Sequence, residues 1–361
     1  MIKIPVLLFL STIITSQTLM AQRNIVSEKE ALQLAKDIET TVKNNDASVL
    51  NDVFDINALT AKIKEKSKEG MSDPMFAGFK STFNMRSFGA QVTTLAKDGS
   101  YQLVRTYEKD NRIHLLFRAF GNGGLNYHDY SLVKTGSTIK ADDVYIYITG
   151  EEISTTLANL LDAGMGGSNN PGKFSDELRH LLKMKEYQKN KDYNSIIELY
   201  ESSDEKLQKN KSFFVIYMTA CQKTDQLKYK TALENYAASF PDAPNTYLLM
   251  IDLYFLNKEY EKGIDAVNKL DSLVKGDIFL DFFRANLYLA LENTVKAKTC
   301  YDNVFKSHPT LSYIIKNIVI LHMNDNETDI AKTALNTYKK SEGFNQEYVD
   351  DLYLMYPDLK E

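Results

Sequence analysis

The side chains that could do chemistry gather between residues 105 and 145. Arg105, His114, Arg118, Tyr127, His128, Asp129, Asp142, Asp143 and Tyr145 lie in segments of alternating polarity. A histidine and an aspartate that face one cavity can move a proton between them and a bound molecule. His128 and Asp129 are chain neighbours, so on a strand they point to opposite faces and cannot pair by proximity in sequence. The possible ligand cavity is therefore lined by Arg105, His114, Arg118 and Asp129. The plainer alternative is a solvated outer face with structural hydrogen bonds.

Elsewhere the familiar motifs fail. Gly167, Gly172 and Lys173 have the spacing of a phosphate-binding loop, but Phe174 stands where Ser or Thr would hold magnesium. A helix, not a strand, is expected before them, so both contextual requirements are missed. Five histidines occur, none at the spacing of metal ligands, and there is no Cys-x-x-Cys or His-Glu-x-x-His. No Gly-x-Ser-x-Gly elbow exists. The reading assigns no catalytic residue, no metal and no cofactor, and expects no enzyme.

The elements around those residues change period along the chain. Ser27 and Glu30 frame a capping box, opening a helix that buries Ala31, Leu34, Ala35, Ile38 and Val42. Asp46 can cap a short helix through Val53, and another turns Ile56, Leu59 and Ile63 inward. Pro74 suits a first helical turn, and that helix presents Phe76, Phe79 and Phe83 along one side. Strands follow at 101–107, 112–120, 125–133 and 139–149, with short turns at Asp110-Asn111 and Gly136-Ser137. Gln91 to Lys97 is expected to add a fifth strand. A helix spans Glu151 to Asp162, and a Gly, Ser, Asn and Pro stretch at 163–173 reads as a linker. The 24–162 segment is thus an α+β domain, helices first and a curved antiparallel sheet after. Its element order resembles the nuclear-transport-factor-like and ketosteroid-isomerase-like folds, which implies a bent sheet wrapped round a helix to leave a cone.

From 174 to 361 the chain repeats. Tyr254, Tyr288 and His322 stand 34 residues apart, as do Gly263, Ala297 and Ala331, then Val267, Tyr301 and Leu335, then Leu270, Val304 and Tyr338. That period fits a helix, a turn, a second helix and a link. The small residue lets two helices approach, and the bulky one four later shares its face. Ala285, Tyr288, Ala297, Tyr301 and Pro309 carry a resemblance to the tetratricopeptide repeat family, although the usual tryptophan is absent throughout. Tyr187, Ile196 and Tyr200 repeat the offsets upstream, and Lys223, Ala232 and Tyr236 do so about one turn out of phase. Five helix pairs are expected, with a capping helix from Gln346 to Met355. The fold class is an α+β domain followed by an all-α helical-hairpin solenoid. Tyr288 is expected to be buried, so Tyr288→Ala would cost about 3–5 kcal/mol.

The resemblance implies that the first helix of each pair lines a concave, partner-binding groove. It places Leu248, Asp252, Phe255, Phe282, Asn286, Leu289, Lys316, Ile320 and Met323 there. Mixed apolar and polar residues suit a peptide or protein segment. Formal charge is −5 and neither half is basic, so nucleic acid is a poor partner. Residues 1–21 read as a secretory signal cut after Ala21: Lys3, then an apolar run from Val6 to Ile14, then a small residue. That run is too short for stable membrane insertion. With Cys221 and Cys300 far apart and expected as packed thiols, the address is secreted or periplasmic. The function expected is partner binding without catalysis. The alternative is a small-ligand or acid–base site in a cone-shaped cavity of the first domain.

Overall fold

The computed structural model describes residues 25–68, 73–97, 99–121, 124–165, 176–240, 246–309, 311–341 and 344–360. The expected signal segment, the phosphate-loop-like Gly167 to Lys173, and most of the expected linker lie outside them. The chain divides into two compact units, Met1–Asn245 and Thr246–Glu361.

In the first unit, α1 (Glu28–Lys43) starts on the capping box: the Ser27 hydroxyl accepts from Glu30 N–H, and Glu30 reaches back to Ser27. Glu30 is held down to about 2, first by the Lys134 ammonium and then by Ser27. Its buried stripe is Ala31, Ala35, Ile38 and Val42. Asp46 accepts from Ser48 N–H ahead of α2 (Ser48–Asp52), and Asp55 caps α3 (Ile56–Lys66) through Ala58 N–H. Phe79 of α4 (Asp73–Thr82) and Phe83 just past its end pack on the core, while Phe76 takes the Lys64 ammonium on its ring. The strand expected at Gln91 to Lys97 is instead part of α5 (Arg86–Ala96). Its β-branched Val92-Thr93-Thr94 favours a strand, but burial of Phe88, Gly89, Val92 and Thr93 follows helical spacing and outweighs that preference.

A five-stranded antiparallel meander follows in chain order: β1 (Ser100–Lys109), β2 (Arg112–Gly121), β3 (Gly124–Thr135), β4 (Thr138–Ile146) and β5 (Glu151–Glu152). Asp110 and Asn111 both have positive φ, as a two-residue hairpin requires. The last long strand stops at Ile146, short of the expected Thr149, because the chain turns back on Gly150 N–H to Ile146 O. One sheet face puts Tyr101, Leu103, Leu115, Phe117, Tyr130 and Val144 into a core shared with the helices. Tyr101 stacks on Phe117 at 4.9 Å, and Phe117 meets Tyr130 edge-on at 5.7 Å. Helix α6 (Ile153–Met165) closes this part against α3 and β4.

Two helix pairs complete the first unit: α7 (Asp176–Lys189) with α8 (Tyr193–Glu201), then, after the short α9 (Glu205–Gln208), α10 (Lys211–Thr224) with α11 (Gln226–Ser239). The second unit holds three more: α12 (Thr246–Leu256) with α13 (Tyr260–Val274), α14 (Asp281–Ala290) with α15 (Thr294–Ser307), and α16 (Ser312–Asn324) with α17 (Thr328–Lys339). Helix α18 (Gln346–Met355) follows, burying Val349 and Leu352. The five expected pairs and the final helix are all present.

Within four pairs the turn has one geometry. Lys191, Lys258, Glu292 and Asn326 adopt φ of 57°, 60°, 58° and 59°. The next N–H, from Asp192, Glu259, Asn293 and Glu327, bonds back to the carbonyl of Tyr187, Tyr254, Tyr288 and His322 at 2.8–2.9 Å. The second pair lacks this left-handed residue: Asp225 directly follows its first helix and bonds to Cys221 O. Its link is the single residue Asp225, against three residues in each of the other pairs. Counted from the N-cap of the second helix, the column positions are Tyr229, Leu233 and Tyr236, so Ala232 lies three residues late, the one turn of phase difference expected from sequence.

The small and bulky columns of the second unit are buried as expected: Gly263, Ala297 and Ala331, Val267, Tyr301 and Leu335, and Leu270, Val304 and Tyr338. A Cβ on Gly263 would meet Leu287 Cδ2 at 2.8 Å, so α13 and α14 approach closely at this small residue. The first column differs from expectation. Tyr254 and Tyr288 are only half-buried, and Lys262 and Lys296 cover their rings at 5.9 and 5.2 Å.

Candidate functional site

The groove positions come from the first helices of the second unit, α12, α14 and α16. Phe255 is 46% exposed; Phe282, Leu289, Ile320 and Met323 are half-buried; Leu248 is buried. The 34-residue step places Phe255, Leu289 and Met323 at matching points of successive pairs. Asp252 is half-buried.

The polar members serve the fold as well. Asn286 donates to Phe282 O and accepts the Tyr301 hydroxyl, both at 2.8 Å. Asn317 then donates to the same Tyr301 oxygen at 2.8 Å. One buried hydroxyl thereby ties α14, α15 and α16. Lys316 pairs with Asp351 of α18 at 3.1 Å. Tyr301 and Asn317 had no place among the groove residues read from sequence; a hydroxyl in a core column was the signal that a buried partner must exist.

His322, in the same column as Tyr254 and Tyr288, is 3% exposed and does more than fill space. Its Nδ1 lies 2.6 Å from Glu327 and its Nε2 3.0 Å from Asp302. Lys298 bonds the same Glu327, and together Lys298 and His322 hold that carboxyl below its usual range. A third tie surrounds Arg284, which reaches Asp271 at 2.6 Å, Asp281 at 2.8 Å and Asn268 at 2.9 Å.

The possible ligand residues of the first unit lie on the sheet face opposite the core. The cone expected between sheet and helices is filled by Tyr101, Phe117, Tyr130, Phe54 and Phe88. On the outer face, His114 Nδ1 sits 3.0 Å from Asp129 Oδ1, and the Tyr107 hydroxyl donates to Asp129 Oδ2. The Arg105 guanidinium lies 4.6 Å from the Tyr107 ring centre. Arg118 is set apart, donating to Gln102. The structure thus gathers Arg105, His114 and Asp129 around Tyr107, a residue the sequence reading passed over. Tyr107 is the cross-strand partner of His114 beside the Asp110-Asn111 hairpin, which was the available signal.

His128 takes the core side, as its alternation with Asp129 required. Asn126 Oδ1 accepts from the N–H groups of Tyr127 and Ile148, at 2.8 and 2.9 Å. The Asn126 amide nitrogen must therefore be the group 3.1 Å from His128 Nε2, which fixes that nitrogen as acceptor. Nδ1–H then donates to the Tyr101 hydroxyl at 3.0 Å, and Tyr101 and Tyr130 share a bond of 2.6 Å.

Cys221 and Cys300 are free thiols, and burial, with Asp281 nearby, pushes Cys300 up to about 11. Among the described residues no cluster of three His, Cys, Asp or Glu could hold a metal, and no helix is long and apolar enough to cross a membrane.

No family model matches this chain, and no curated protein does. Solved structures of MamA are similar to part of it. A crystal structure of MamA protein covers 50% of this chain and 94% of its own, at 12% identity and a TM-score of 0.39. MamA AMB-1 covers 45% and 97% at 14% identity and 0.37. MamA MSR-1 covers 45% and 95% at 13% identity and 0.37. The fold rests on the strands and helix pairs described above, not on these likenesses.

Proposed function

We propose that this chain is an interaction scaffold that holds an extended segment of a protein partner along the first helices of its pairs. The supporting observation is the repeated surface position occupied by Phe255, Leu289 and Met323, on pairs locked by buried columns. An apolar side chain every 34 residues offers a partner segment a series of equivalent contacts. The reading assigns the groove binding alone and no catalytic step.

The test begins with peptides selected on the full chain from a random library. Phe255→Glu alters an exposed side chain and should weaken selected peptides by about tenfold or more, with thermal unfolding unchanged. Peptides that bind the variant as well as the parent would remove the groove from the proposal.

The proposal also places the protein outside the cytoplasm. Lys3, the apolar run from Val6 to Ile14 and Ala21 support export. Amino-terminal sequencing of protein recovered from its host should begin at Gln22; a retained Met1 in the bulk of the material would end the export reading.

A further inference from the structure

The helix-pair reading leaves unused a constellation on the outer face of the first-unit sheet. Its placement depends on an irregularity. Leu103 faces the core opposite Phe117, so regular alternation would send Arg105 to the core as well. A bulge between Leu103 and Arg105 inserts Val104 and switches the phase. Arg105 thereby comes opposite Leu116, on the same face as Tyr107 and His114. A ladder irregularity is thus coupled to a cation on this face. Among the described residues no carboxylate pairs with Arg105; its partner is the Tyr107 ring.

The groups beside it complement one another. Asp129 accepts the Tyr107 hydroxyl on one oxygen and faces His114 Nδ1 with the other. A carboxylate only accepts, so His114 donates from Nδ1, and in the neutral ring Nε2 is left as an acceptor. That Nε2 meets no hydrogen-bond partner among the described residues. Tyr145 is the cross-strand partner of Asp129, and its ring stands edge-on to Tyr147 at 5.2 Å. Burial pushes the Tyr145 hydroxyl up to about 12, so it remains a donor at neutral pH. The face combines a cation, a nitrogen acceptor and aromatic walls, with His114 and Asp129 side chains 12% and 10% exposed.

We infer that this face binds a small hydroxylated aromatic carboxylate. Arg105 takes the carboxylate through its two-pronged guanidinium. The ligand hydroxyl donates to His114 Nε2, whose orientation Asp129 fixes. The ligand ring lies against Tyr145 and Tyr147. The inference is independent of the helix-pair groove, and Phe255→Glu leaves it unchanged.

The experiment titrates the full chain with 4-hydroxybenzoate, benzoate and inorganic phosphate while the His114 imidazole signals are followed by NMR. The expected result is a saturable His114 shift with 4-hydroxybenzoate and roughly five- to tenfold weaker binding of benzoate, which lacks the donor. Phosphate is expected to bind more weakly still. Arg105→Gln should weaken 4-hydroxybenzoate by at least about tenfold, and Arg105→Lys, which keeps the charge but not the fork, by less. Both changes leave the core untouched, and thermal unfolding verifies each fold. No His114 shift at millimolar 4-hydroxybenzoate, equal binding by parent and Arg105→Gln, or phosphate binding as tightly as 4-hydroxybenzoate would each overturn the site.

Discussion

Tyr301→Ala should lower the stability of the second unit by about 3–5 kcal/mol. The side chain is 0% exposed and sits where α14, α15 and α16 meet. Its removal deletes a buried ring and opens a cavity. It also strands Asn286 Oδ1 and Asn317 Nδ2, which both lose the bridging hydroxyl. Tyr301→Phe isolates that second part and should cost about 1–3 kcal/mol, the usual penalty for a buried polar group left without its partner. Tyr288→Ala is the informative control. The 34-residue columns made Tyr288 look like the buried aromatic, but it is half-buried beneath the Lys296 ammonium. Its truncation should therefore cost less than that of Tyr301. Urea unfolding of the full chain, followed by near-ultraviolet circular dichroism, measures all three. A Tyr301→Ala cost below about 1 kcal/mol, or one smaller than that of Tyr288→Ala, would mean that the inter-pair packing does not depend on this column.

The second large effect belongs to His128 and to pH. Burial holds its pKa down to about 3, against 6.5 for a free imidazole. The fold supplies a matching reason: Nε2 already accepts from Asn126, so a proton there would face an amide N–H. Between pH 6.5 and 3 the unfolded chain binds a proton that the folded chain refuses. Stability from the neutral ring is thus fully present above pH 6.5 and is lost as pH falls towards 3. At 1.36 kcal/mol per pKa unit, the whole window is worth about 4–5 kcal/mol. His128→Gln removes the titration. It should be less stable than the parent at pH 7, yet lose less on acidification, so the two stability curves converge as pH falls from 6.5 to 4. Parallel curves across that interval would show that His128 does not govern the acid response.

The helix pairs were legible because each depends on local spacing that recurs: a small residue, a bulky one four later, and a turn. The second pair stands about one turn out of phase, and the reason is also local. Its link is one residue where the other pairs have three, and a search for identical offsets settles on Ala232, three residues past Tyr229, the position counted from the cap. The helix Arg86–Ala96 was misread because its β-branched centre favours the wrong state and only burial of Phe88 and Val92 decides. Of the outer-face constellation, His114 and Asp129 could be picked by residue type. Arg105 lies with them only because of the bulge after Leu103, and strand alternation alone places it on the wrong side. Which way the helices cover the sheet is a tertiary choice. That choice put these three residues outside the core instead of inside a cone.

The matching φ angles of Lys258, Glu292 and Asn326 have an evolutionary consequence. Within each of these pairs the first helix passes the chain to the second with the same bend and the same hydrogen bond, so the two halves meet in one geometry. A lineage can therefore exchange a first or second helix between such pairs at this turn without inventing a new bend. The clipped link at Asp225 marks a segment that follows a different rule and would not splice as cleanly.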